Sequence, residues 1–198
     1  MKFINILECL NEQYSENCIV RKNGTILLAP GKIPKSRYML FKPLSDEHIE
    51  EYLIKQYNNK FPKDYIEFLK YSNGANLNTV KMKTDKFSFA SSLFIIFGLP
   101  RTPPFNRPFD MEEPFDMRIE DLARHKELPK TWLKCGTYIR NYNFNIQNDI
   151  FIDTKTNKVY ACIKNKKDIV DSWDNLDECF CSILDSFANS KLEYEYQP

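Results

Sequence analysis

Apolar and polar positions alternate along this chain with two different periods. Over residues 3–14, Phe3, Ile6, Leu7 and Leu10 fall on one helical face. The run CIVRKNGTILLA then sets Asn23-Gly24 between two β-prone segments, which predicts a hairpin, and RYMLF predicts a further short strand after the turn-rich PGKIPKS. A second helix is predicted from about residue 46 to 58. Ser45 is placed to cap it, Asp46 and Glu47 suit the positive end of its dipole, and Ile49, Tyr52, Leu53 and Tyr57 form its apolar stripe.

The stretch FPKDYIEFLKYSNG, residues 61–74, is the most strongly punctuated in the chain. Pro62 sits where a first-turn proline loses no hydrogen bond, and Tyr65, Phe68 and Leu69 share a face. Asn73-Gly74 supplies a left-handed stop. SLFIIFGL then reads as a buried strand. After it, prolines at 100, 103, 104, 108 and 114 forbid regular structure and predict a long exposed loop. A short helix through Ile119, Leu122 and Ala123 is expected before LPKTW, with Asp116 or a neighbour as its cap. GTYIR, NDIFID and KVYACI read as strands, with TKTN turning the chain between the last two. Ser172 is expected to cap a final helix whose Leu176, Cys179, Phe180, Ile183, Leu184 and Phe187 keep one apolar face. Helices at both ends with paired strands between them predict an α+β domain, its central sheet mostly antiparallel or mixed and flanked by helices.

Composition narrows the function classes. The 198 residues suffice for one domain with a true core, and 42% hydrophobic content with 15 Phe and 11 Tyr is enough to drive collapse. Lys+Arg 28 against Asp+Glu 27 leaves a formal charge of +1, so no overall field draws the chain to nucleic acid or anionic lipid. Asn5 and Glu8 interrupt the apolar N-terminal run, which therefore does not read as a signal peptide, and no apolar run approaches the roughly 20 residues of a membrane span. The expectation is a cytoplasmic protein whose six cysteines, Cys9, Cys18, Cys135, Cys162, Cys179 and Cys181, are reduced.

Catalytic vocabulary is sparse. Cys179 and Cys181 lie two apart on a predicted helix and point about 200° away from each other, so they cannot share a metal ion. The only histidines, His48 and His125, sit in charged helical surroundings. Five scattered glycines form no phosphate-binding loop. The acidic runs DMEEPFDMRIED and DIVDSWDNLDE read as solvated faces and helix-dipole complements. No enzyme activity, cofactor or metal site is expected.

Taken in order, HIEEYLIKQYNNKFPKDYIEFLKYSNG, SLFIIFGL, NDIFIDTKTNKVYAC and DSWDNLDECFCSILDSF resemble the SUKH superfamily, the domain of fungal cell-wall assembly regulators and many bacterial immunity proteins. The family's opening motif is matched by Phe61, Pro62, Tyr65, Phe68, Leu69, Asn73 and Gly74; its closing motif is matched in part by Ser172, Trp173, Leu176 and Phe180. The resemblance spans about residues 45 to 188. It implies three parts: an N-terminal helix-and-hairpin appendage over 1–44, the SUKH-like domain over 45–190 and a tail over 191–198.

The resemblance implies a non-enzymatic protein-binding module, an immunity protein occluding a cognate toxin, with a nuclease as one such toxin. A regulator of endogenous partners is the alternative. About 15 residues beyond what a turn needs suggest a use for the Pro-rich loop. Its Phe105, Arg107 and Phe109 are of the types that anchor interfaces, and Asp110, Glu112 and Glu113 can steer a basic surface. Its aromatic residues can equally tuck back onto the sheet.

Overall fold

The computed structural model describes residues 1–31, 36–57, 61–83, 88–99, 128–139, 146–164 and 166–188. Among these, four helices and nine strands follow in the order α1 (Lys2–Gln13), β1 (Cys18–Val20), β2 (Ile26–Pro30), β3 (Ser36–Leu40), α2 (Asp46–Tyr57), α3 (Lys63–Tyr71), β4 (Ala75–Lys83), β5 (Ser88–Ile96), β6 (Trp132–Ile139), β7 (Gln147–Asp153), β8 (Val159–Ile163), β9 (Ile169–Trp173) and α4 (Leu176–Ala188). The strands form one antiparallel sheet whose spatial order is their sequence order, β1 through β9. The fold class is therefore α+β with a wholly antiparallel sheet among the described residues.

Amphipathic spacing explains where the helices sit. Phe3 and Leu7 of α1, Ile49 of α2, Tyr65, Phe68 and Leu69 of α3, and Leu176, Cys179, Phe180, Ile183, Leu184 and Phe187 of α4 all enter one core against the sheet. At its centre Phe180 meets the rings of Phe3, Phe68 and Phe94, with centroids 4.9, 6.0 and 5.5 Å away and edge-to-face geometry. The alternation along β7 assigns the two faces of the sheet. Ile150 and Ile152 join this core, whereas Phe151 joins Trp132 and Cys162 in a separate cluster on the other face.

The first 44 residues continue this architecture. Strands β1–β3 lead the same sheet, β3 pairs with β4, and α1 shares the main core, so no break in the sheet marks a boundary near residue 44. Asn23-Gly24 forms the β1–β2 turn with Gly24 at φ +83°, where Asn23 Oδ1 accepts from Thr25 N–H at 3.0 Å.

Other expectations meet the structure at particular residues. Ser45 Oγ accepts from His48 N–H at 3.3 Å, which makes it the cap of α2; the side chains of Tyr52, Leu53 and Tyr57, and the segment expected to be helical near 119–123, lie outside the described residues. Ser172 does not cap α4. It lies in β9, and the helix is capped three residues later by Asn175, whose Oδ1 accepts from Glu178 N–H at 2.9 Å. Strand β4 (ANLNTVKMK) goes beyond the elements expected from sequence, as does β9 (IVDSW), whose Ser172 was expected to cap the helix.

Candidate functional site

The strongest geometry surrounds the point where β5 hands the chain to the Pro-rich segment. Helix α3 and the turn that follows it deliver three polar side chains to it. Tyr65 hydroxyl donates to Phe97 O at 2.5 Å, and Ser72 hydroxyl lies within hydrogen-bond reach of Phe41 O (3.1 Å) and Gly74 O (2.6 Å). The amide of Asn73 pairs with Leu99 as one peptide group pairs with another: Nδ2–H donates to Leu99 O and Leu99 N–H donates to Oδ1, each at 2.7 Å. All of these groups are buried, so each bond removes a desolvation cost that water cannot relieve.

Two glycines let the strands approach closely enough for this clasp. Gly74 takes φ +92°, and a side-chain carbon there would lie 2.9 Å from Gly98 N and Ile96 O. A side-chain carbon on Gly98 would lie 2.2 Å from Asn73 O, inside any allowed contact. The motif Pro-x-x-Tyr-x-x-Phe-Leu-x-x-x-Asn-Gly is thus a mechanical device: its apolar members seat α3 in the core, and its polar members fasten the end of β5.

The opposite face of the sheet holds the same junction. Lys134 of β6 and Asp149 of β7 form a buried ion pair at 3.0 Å, with side chains 9% and 1% exposed, and Lys134 Nζ lies 5.6 Å from the centre of the Phe97 ring. Beside them Trp132 stacks on Tyr160 at 4.3 Å and 8°. Sequence reasoning did not single out this pair, because a lysine and an aspartate within short strands look like surface positions. The signal that could have found it is the partnership of β6 with β7, in which Lys134 opposes Phe151 and Thr137 opposes Asp149.

Phe105, Arg107, Phe109, Asp110, Glu112 and Glu113, and with them His125, lie outside the described residues. Of the second acidic run, most carboxylates have structural tasks. Asp171 accepts from the Tyr138 hydroxyl at 2.7 Å, Asp174 lies 3.4 Å from Lys158, Asp177 accepts from two backbone amides of α1, and Glu178 Oε2 accepts from Asp174 N–H at 3.3 Å. A shallow groove between α1 and α4 is bordered by Lys2, Trp173, Asp177, Glu178 and Asp185.

The thiols divide by burial. Cys135 and Cys179 are buried in the main core and Cys162 on the other face of the sheet; Cys18 and Cys181 are half-buried, Cys9 is exposed, and all six are free. Burial pushes the Cys135 and Cys179 thiols well above their ordinary range, and burial followed by the charges of Asp149 and Asp168 pushes Cys162 up to about 11. These are poor nucleophiles at neutral pH. Among the described residues no three His, Cys, Asp or Glu side chains are grouped to hold a metal ion, and no helix is long and apolar enough to cross a membrane.

The geometry is that of a rigid anchor at the root of a long connection. The model of the SMI1 / KNR4 family (SUKH-1) matches residues 43–182, from just before α2 into the middle of α4. No curated protein and no solved structure matches the chain.

Proposed function

The chain belongs to the SMI1 / KNR4 family (SUKH-1), and on that premise we propose that it is a non-enzymatic protein-binding module that acts as an immunity protein, covering the active surface of a cognate toxin. The observation that carries this reading is the family match over most of the chain, joined to the clasp at Leu99. A binding segment loses less entropy on docking when its root is already fixed. In this reading Phe105 and Phe109 are apolar anchors, Arg107 offers a planar donor fork, and Asp110, Glu112 and Glu113 draw in a basic surface such as the substrate groove of a nuclease.

The test is recovery of the tagged chain from its native host with its bound proteins identified, followed by co-expression with the toxin domain so found. Capture of a toxin domain together with rescue of the cells from its activity supports the reading. Capture only of endogenous wall or regulatory proteins, with no rescue from any co-captured toxin, would instead make the chain a regulator.

A further inference from the structure

Strand β1 is one of the two outer strands of the sheet among the described residues. Hydrogen bonds at both of its ends fix how its backbone is turned. Arg21 N–H donates to Thr25 O at 2.8 Å and Ala29 N–H donates to Asn17 O at 3.1 Å, so the odd-numbered residues from 17 to 21 face β2 and the even-numbered ones face away. Cys18 and Val20 therefore each direct an N–H and a C=O out of the sheet. Side chains alternate along the same strand. Cys18 packs against the main core beside Leu28, and Val20, opposite Ile26 on that face, is 67% exposed, more than any other large hydrophobic residue described. Ile19, on the face turned from the helices, is 43% exposed.

The three residues of β1 include no charge and no proline, and their register with β2 has no bulge, so the edge lacks the usual devices against pairing other than its shortness. Charge stands just beyond its ends instead. Exposed Glu16 precedes the strand, and exposed Lys22 follows it with half-buried Arg21 beside it. Neither Glu16 nor Lys22 enters an ion pair among the described residues. A second β1 running parallel would set Glu16 near Glu16 and Lys22 near Lys22. One running antiparallel about Ile19 sets each against its opposite, so the edge is complementary to itself in that direction alone.

We infer that a second copy of this chain docks on the β1 edge, antiparallel and two-fold symmetric, with the axis at Ile19. Cys18 of each copy then opposes Val20 of the other, and the two pairs exchange their outward N–H and C=O groups. The two Ile19 side chains meet on the axis as a non-hydrogen-bonded pair, with Cα atoms about 4.5 Å apart. Glu16 of each copy faces Lys22 of the other. The interface is isologous and closes at two copies. Three residues a side bury little area, so the dimer is weak and forms at high protein concentration.

Cross-linking at the axis tests this on the full chain. In the Cys9→Ala/Cys18→Ala background, Ile19→Cys should yield a disulfide-linked dimer on mild oxidation, because its counterpart lies within bonding range; the same background with Ile19 retained should not. Adding Val20→Pro removes an outward N–H at no cost to the bonds with β2, and it should abolish the cross-link. Sedimentation velocity supplies the second arm. Wild type should dimerise roughly fivefold more tightly at low than at high ionic strength, since salt screens exposed pairs. Glu16→Lys and Lys22→Glu should each associate more weakly than wild type, and an equimolar mixture of the two should recover the loss. Circular dichroism confirms that each variant is folded. A wild-type monomer at every concentration in low salt overturns the inference, whether or not a foreign strand binds the edge. Failure of Ile19→Cys to cross-link, a cross-link that a folded Val20→Pro leaves unchanged, or a mixture no tighter than its components overturns it too.

Discussion

The carboxylate of Asp177 accepts hydrogen bonds from the backbone N–H groups of Lys2, at 3.0 Å, and Phe3, at 2.8 Å, so the first helix is capped by a residue of the last. No side chain of its own caps α1. The negative charge also lies at the positive end of the α1 dipole. Asp177→Ala should therefore cost about 1 to 2 kcal/mol, the range for losing a helix cap, and Asp177→Asn distinctly less. Urea titration of the three proteins measures this, and equal midpoints for Ala and wild type would remove the cap from the account.

The Asn73 clasp makes a prediction with a sign in pH. Asn73→Asp keeps the acceptor for Leu99 N–H but, when ionised, sets a carboxylate against Leu99 O; when protonated it can donate there as the amide does. The folded state thus raises the pKa of this new carboxyl above its unfolded value of about 3.9. Its favourable contribution is complete below that value and is lost as pH rises through the folded pKa, so the variant should lose stability relative to wild type between pH 4 and pH 7. Thermal melts at the two pH values check the direction. Asn73→Ala should cost about 2 to 4 kcal/mol at either pH, as two buried backbone groups lose their partner.

Lys134 and Asp149 should show the asymmetry of a buried pair. Lys134→Met alone leaves an uncompensated carboxylate at 1% exposure and should cost about 3 to 5 kcal/mol. The double change Lys134→Met/Asp149→Leu should recover most of that loss. If the double variant were the less stable of the two by denaturant titration, the pair would have to be contributing net stability.

Thiol accessibility should rank as burial does. Exposed Cys9 and then half-buried Cys18 should react with a thiol reagent in the folded protein, whereas Cys135, Cys162 and Cys179 should react only on unfolding. Because the folded pKa values of these last three are raised, their contribution is complete below about pH 8.5, the unfolded value, and declines as pH rises above it. Cys135→Ala/Cys179→Ala should accordingly flatten the alkaline limb of a stability profile. Rapid labelling of Cys135 in the native state would overturn this ordering.

For the Pro-rich segment the kinetics of partner binding separate two roles. Neutralising Asp110, Glu112 and Glu113 should slow association and flatten its salt dependence with little change in melting temperature. Phe105→Ala/Phe109→Ala should instead speed dissociation. Wild-type kinetics in both variants, or unfolding of the phenylalanine variant, would assign the segment a purely structural role.

Helices were the most legible part of this sequence because their apolar residues repeat at helical spacing, and α1, α3 and α4 bury the side chains that spacing picked out. The Pro62 start of α3 was readable for the same local reasons, but Asn73-Gly74 is not its left-handed stop: the helix ends at Tyr71 with Ser72 extended at φ −151°, and the φ of +92° at Gly74 serves the close approach to Gly98 instead. Strand β4 was not, since ANLNTVKMK has few apolar residues and owes its conformation to eight cross-strand partners in β5. Ser172 misled because a serine before an apolar helix looks like a cap. A register shift at Ala161/Cys162 and the pairing with Tyr160 hold it in the sheet instead, and the cap passes to Asn175. The clasp was only half visible: Asn73-Gly74 announced a turn, but its second function depends on Gly98 and Leu99, some 26 residues away. The Lys134–Asp149 pair depends on strand register, which hydropathy alone does not encode.

The packing of Phe3 against Phe180 also sets an order of events during synthesis. Each strand of the sheet can find its neighbour as soon as the next one has left the ribosome, because spatial and sequence order coincide. Helix α1 finds only part of its seat early, where Phe3 meets Phe68 of α3 with ring centroids 5.9 Å apart. Its capping carboxylate and the nearer ring contact of Phe3 belong to α4, so a helix made before every strand is fully enclosed only after the last of them, and until then part of Phe3 stays open to chaperones, proteases and other nascent chains.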